Sequence, residues 1–241
     1  MKYFIIFSYD GSKYNGLQKL KNELTIQGEL ETILTRLNGK QVNVKCSGRT
    51  DKGVHALNQA AHFSLDKPLT PFRLRYYINR MTSDYLYVKS CEVINDENFH
   101  SRFSVKEKEY VYKINTGEYD PILNDYVFNY NKKIDLDKVE EVKDLFIGIH
   151  NFKAFTVGKH NNYYCEILNK NIEKQKNLVI ISICGKSFLT HMIRYIVAAI
   201  LLYQEGTLFS KDIKTMFEKG TRVIEFEKAP AAGLYLKEVK Y

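Results

Sequence analysis

The stretch YYCEILNKNIEKQKNLVIISIC, residues 163–184, decides the fold class. Its two arms, Tyr163 to Glu173 and Leu178 to Cys184, are rich in apolar and β-branched residues, and the polar run Lys174-Gln175-Lys176-Asn177 separates them. Two such runs joined by a short polar turn read as a strand pair, not as strands linked through a helix. On its C-terminal side, Phe188 to Gln204 reads as a long buried helix, Lys211 to Glu218 as a short surface helix and Leu234 to Val239 as a final strand. On its N-terminal side, Leu136, Val139, Val142 and Leu145 recur at helical spacing. Phe103 to Ile114 alternates as a long strand, with Tyr110, Tyr112 and Ile114 on one face.

The same grammar runs back to the start of the chain. Lys2 to Tyr9 is a β-rich run that stops at the turn signal Asp10-Gly11. Thr25 is placed to cap a helix carrying Ile26, Leu30, Ile33, Leu34 and Leu37, which Gly39 ends. Val42 and Val44 read as a short strand, Ser47 to Gly53 as a loop and Asn58 to Leu65 as the returning strand. Pro71 opens a helix through Asn79, and Tyr85, Tyr87 and Val93 mark a further strand. Hairpins are frequent and strands do not alternate strictly with helices, so the expected class is α+β. Each half carries strands around a major helix. The expectation is two similar subdomains, residues 1–100 and 101–241, whose mainly antiparallel sheets join around a central cleft with helices outside.

Composition narrows the partners. The chain has 36 Lys+Arg against 28 Asp+Glu, a formal charge of +8. Such a surplus favours polyanions through counterion release, although a solvated lysine-rich surface has the same composition. Cys46, Cys91, Cys165 and Cys184 are scattered without a C-x-x-C pair, and no signal peptide is evident, as expected of reduced thiols in the cytoplasm. The uninterrupted apolar part of the long helix, Tyr195 to Tyr203, is too short to span a bilayer.

Within Ser47-Gly48-Arg49-Thr50-Asp51-Lys52-Gly53-Val54-His55-Ala56, glycines flank a carboxylate and an arginine. Taken alone, an Asp beside Gly is ordinary turn chemistry. The glycines also permit close approach of backbone to a ligand, and Arg49 offers a planar donor for phosphate.

The longer string, G-R-T-D-x-G-V-H-A followed by Gln59, Ala61, His62 and Phe63, resembles the signature of the TruA family of tRNA pseudouridine synthases. Further matches follow in family order: Tyr9-Asp10-Gly11, Tyr14-x-Gly16-x-Gln18, Phe99-His100-Ser101-Arg102-Phe103, Glu109-Tyr110-x-Tyr112, Phe188 with His191 to Arg194, and Gly233-Leu234-Tyr235-Leu236. Leu17 stands where the family pattern has Trp.

The resemblance implies an isomerase that breaks the N1–C1′ bond of uridine in tRNA and rejoins the base through C5, at positions 38, 39 and 40 of the anticodon stem-loop. It implies a cytoplasmic homodimer, with no cofactor and no metal. Asp51 is then the catalytic carboxylate. Arg194, whose charge on an apolar helix needs a partner, is the cation that keeps Asp51 ionised. A uridine in a stem-loop must leave its stack to be reached. Tyr110 is expected to stack on the flipped base, Arg49 to fill its place or clamp a phosphate, and Leu234 to wall the pocket. Lys52, Arg102, Lys106 and Lys108 are expected on a phosphate-binding rim, and His55, His62 and His191 in structural roles. Two other readings compete: an RNA-binding module without catalysis, and an Asp-dependent glycoside hydrolase. The second calls for a carboxylate pair, and no second carboxylate stands out near Asp51.

Overall fold

The computed structural model of the chain describes residues 1–241, the side chain of Lys170 excepted. Ten strands and five α-helices are present among the described residues, an α+β arrangement. They fall into two compact units, Met1–Lys106 with Tyr235–Tyr241, and Glu107–Leu234. No helix among the described residues is long and apolar enough to cross a membrane.

In the first unit, β1 (Lys2–Tyr9) lies between β3 (His55–Ser64) and β4 (Leu86–Val93), antiparallel to both. The chain's last strand, β10 (Leu234–Lys240), runs parallel to β3, pairing Tyr235 with His55. β1 buries Tyr3, Phe4, Ile5, Phe7 and Tyr9. Tyr241 closes the unit: its ring packs edge-on against Phe4 at 5.1 Å, and its hydroxyl donates to the Ser101 carbonyl at 2.6 Å.

The helix α1 (Ile26–Asn38) starts and stops where its caps dictate. The Thr25 hydroxyl accepts from the Gly28 N–H at 3.2 Å, and Gly39 takes φ 74° to end it. Ile26, Leu30, Ile33 and Leu34 form its buried stripe. Thr25→Ala is expected to cost about 1 kcal/mol of stability. Urea denaturation checks this, and an unmoved midpoint would mean that the helix start is held by packing instead.

One expected strand is nearly absent. Val42 and Val44 are buried but lie outside β2, which is only Lys45–Cys46. Their N–H groups donate to Thr35 Oγ1 (3.1 Å) and Glu31 Oε1 (3.0 Å), so side chains of α1 satisfy backbone that a ladder would otherwise take. α2 (Pro71–Met81) begins after the cap Thr70, with proline in its first turn, and buries Leu74 and Ile78.

In the second unit, β5 (Glu107–Asn115), β9 (Leu178–Gly185), β8 (Tyr164–Gln175) and β7 (Gly148–Asn151) form successive antiparallel pairs, and β6 (Phe128–Asn129) adds to β5 in parallel. The β8–β9 pair is the hairpin read from residues 163–184. β5 begins later than its alternation implies, because Phe103 and Ser104 donate their N–H groups to the His100 carbonyl in a tight turn. The helices are α3 (Leu136–Lys143), α4 (Met192–Gln204) and α5 (Ser210–Lys219). Phe146, Phe152, Phe155 and Phe217 pack ring on ring as the unit's aromatic core. α4 also starts later than expected: His191 sits in the left-handed region at φ 61°, which leaves Phe188 in the preceding loop.

Candidate active site

Backbone contacts fix the segment Ser47 to Val54 from several sides. The Ser47 N–H donates to Ala60 O at 2.8 Å, and its hydroxyl donates to Gln59 Oε1 at 2.6 Å. The Gln59 amide returns a bond to Gly48 O at 3.3 Å. The Tyr9 and Thr50 hydroxyls are 2.8 Å apart. Leu17 N–H donates to Thr50 O at 3.1 Å and its side chain is buried, so leucine seats the place that the family pattern gives to Trp. Past the carboxylate, Val54 N–H closes a turn onto Asp51 O at 3.1 Å, with Gly53 at φ 81°.

Gly11 is the floor of this arrangement. Its carbonyl accepts from Gly53 N–H at 3.2 Å, and its own N–H donates to His55 Nδ1 at 3.2 Å. A Cβ at Gly11 would lie 1.9 Å from the Val54 carbonyl oxygen. His55 Nδ1 also stands 3.3 Å from Asp10 Oδ1, so the ring draws Asp10 and Gly11 together. The His55 ring stacks on Tyr235 at 4.6 Å.

With its neighbours so held, the loop buries Thr50 and Val54, leaves Asp51 half-buried and exposes Arg49 and Lys52. Arg102 and Lys106 are likewise exposed in this unit, whereas Lys108, on β5 of the other unit, is half-buried. His62 is packed structurally. Its Nδ1 accepts from the Ser101 N–H at 3.1 Å, and burial, then the nearby His100, Lys2 and Lys45, hold the imidazole down at about 4.

The second unit carries Tyr110, Arg194 and Leu234. Tyr110, on β5 opposite Ile183, meets Phe188 edge-to-face at 5.3 Å and is buried. Phe188 reaches Tyr110 from the loop before α4, a position that its apolar flank, with the pattern of a helix, conceals in the sequence. Arg194 lies in the first turn of α4 and is only 9% exposed. Its Nε donates to Ala229 O at 2.6 Å, and Ala229 N–H donates back to Arg194 O at 3.2 Å. Tyr112 donates its hydroxyl to Pro230 O at 2.7 Å. Burial drives the Tyr112 phenol well above its usual range, with the Arg194 charge pulling the other way. Together these bonds pin the segment leading to Leu234, whose side chain is buried. A Cβ at Gly233 would stand 2.7 Å from Lys113 O, so backbone and β5 are in direct contact there.

A family model described as tRNA pseudouridine synthase matches residues 5–104 and 143–241. The chain is 38% identical over 246 residues to tRNA pseudouridine synthase A of Malacoplasma penetrans, with both chains covered in full. It is 37% identical over 244 residues to tRNA pseudouridine synthase A of Mycoplasma genitalium, covering all of this chain and 98% of the relative. The chain belongs to the tRNA pseudouridine synthase family. Its reaction is the isomerisation of uridine to pseudouridine in tRNA.

Proposed function

We propose that this chain modifies uridines of the anticodon stem-loop, at positions 38, 39 and 40, by flipping each base into a site where Asp51 acts. The observation that carries the reading is the Asp51 loop, a half-buried carboxylate on a backbone fixed by Tyr9, Gly11, Leu17 and Gln59. A rigid support of this kind is what a reacting carboxylate requires. In the overall reaction the N1–C1′ bond breaks and a C5–C1′ bond forms. The C5 proton leaves to water and N1 takes one up, so no redox partner enters the balance.

Residues 1–100 supply the carboxylate and Arg49, and 101–241 supply Tyr110, Arg194 and Leu234. Arg194 provides the cation that keeps Asp51 ionised once water is excluded. Its low exposure on an apolar helix supports that role, since such a charge is costly without a partner. Tyr110 stacks on the flipped base, Arg49 holds the vacated position or a phosphate, and Leu234 lines the pocket. The enzyme works in the cytoplasm as a homodimer.

Release of tritium from C5-labelled uridine in tRNA tests the reading; well-folded protein that releases none would overturn it. Release of free uracil would point to hydrolysis instead. Tyr110→Ala is expected to lower turnover by roughly 10-fold to 100-fold, as the loss of one base–aromatic stack implies. Unchanged tritium release from that variant would place the stacking role elsewhere.

A further inference from the structure

The first unit has an aromatic and basic surface that the Asp51 loop does not use. It lies between α2 and β4, where Phe72, Arg75, Tyr76, Asn79, Arg80 and Tyr87 line a groove of about 180 Å³. Phe72 is 71% exposed, Tyr76 54% and Tyr87 55%, although other positions of the same helix carry polar side chains. The groove is rigid at its base. Arg75 Nη1 donates to Lys89 O at 2.8 Å, and Asn79 exchanges two hydrogen bonds with the Val88 backbone, at 2.7 and 2.8 Å. α2 carries Arg73, Arg75 and Arg80 and no carboxylate.

This surface also connects to the Asp51 loop within the same unit. Asp10 N–H donates to Tyr85 O at 2.9 Å, and Lys13 Nζ stands 6.0 Å from the Tyr85 ring centre. Tyr85 therefore sits beside Asp10-Gly11, the floor of the loop, and leads along β4 to Tyr87.

We infer that the α2–β4 groove is a second RNA-contacting surface, its rings stacking on bases or riboses and its arginines meeting phosphates. The inference rests on the tRNA reading above and extends it to a surface outside the Asp51 motif. Exposed aromatic faces interleaved with arginine are what a polyanion with accessible π-faces selects. A second copy of the chain fits less well. A two-fold contact sets a patch against itself, and three arginines on a helix without acids would face their own kind.

Three variants test it: Arg80→Glu, the pair Tyr76→Ser with Tyr87→Ser, and Lys214→Glu on the exposed face of α5 as a control with the same charge change as Arg80→Glu. Affinity for unmodified tRNA is read by fluorescence anisotropy across a salt series, turnover by tritium release and mass by light scattering. Arg80→Glu should weaken binding about 10-fold and flatten the slope of log affinity against log salt by roughly one. The aromatic pair should weaken binding about 10-fold with the slope unmoved. For both, KM rises far more than kcat falls, and mass stays as in the wild type. Unchanged affinity overturns the inference. So does equal weakening by Lys214→Glu, which would make the effect one of bulk charge. A fall in mass overturns it too, by making the groove an interface between copies. Because affinity is read apart from turnover, a groove that fails leaves wild-type tritium release intact, whereas failure of the isomerase reading removes that release.

Discussion

Asp51→Asn lowers pseudouridine formation by a factor on the order of 10³ or more, while affinity for tRNA stays within about twofold of the wild type. Both halves of that expectation come from the loop. The turn at Asp51 is closed by its main-chain carbonyl, which accepts from Val54 N–H, and the flanking residues are held by Ser47, Gln59, Tyr9 and Leu17. An amide side chain leaves all of these bonds in place and removes only the carboxylate. Binding rests mainly on phosphate contacts, which asparagine does not disturb. Tritium release measures the first half and anisotropy the second. Turnover close to the wild-type rate would dismiss Asp51 as the catalytic group, and loss of binding with loss of turnover would make it a substrate anchor.

Gly11→Ala is the severest change expected away from the carboxylate. The added methyl lands 1.9 Å from the Val54 carbonyl oxygen and 2.4 Å from its carbon. Both are backbone atoms, so no rotamer change relieves the clash, and either β1's end or the Asp51–Val54 turn must move. Overpacking of this kind costs about 3 kcal/mol. A displacement near 1 Å at a reacting group lowers turnover by roughly 100-fold. Urea denaturation followed by tritium release below the unfolding midpoint separates the two effects. Wild-type stability and turnover together would show that the loop tolerates a shift.

What the sequence disclosed and what it concealed divide along physical lines. Thr25 and Gly39 bounded α1 correctly because caps act within a few residues of the groups they satisfy. The hairpin over 163–184 was legible for the same reason, since its arms pair with each other. Val42 and Val44 misled because their alternation was that of a strand, while their hydrogen bonds go to Thr35 and Glu31, partners that only the tertiary fold supplies. His191 delays the start of α4 through a left-handed backbone that composition does not announce. At the candidate site, the motif pointed to the loop and to Arg194. The commitment of the Arg194 Nε to Ala229, and the edge-on seat of Tyr110 against Phe188, depend on residues distant in sequence. The α2–β4 groove was hidden for a related reason. Its rings come from a helix and a strand whose separate patterns each read as ordinary surface.

The membership of Tyr235–Tyr241 in the first unit bears on how the protein is made. Residues 1–106 leave the ribosome early, yet the strand that lies beside β3, and the Tyr241 ring that packs on Phe4, are translated only after the whole of the second unit. The first unit therefore waits, with an open sheet edge, while the whole of the second unit is synthesised. Contacts this far apart in sequence close slowly. Nascent chains halted before residue 235 should be the aggregation-prone form, and the half that carries Asp51 should mature last, although it is translated first.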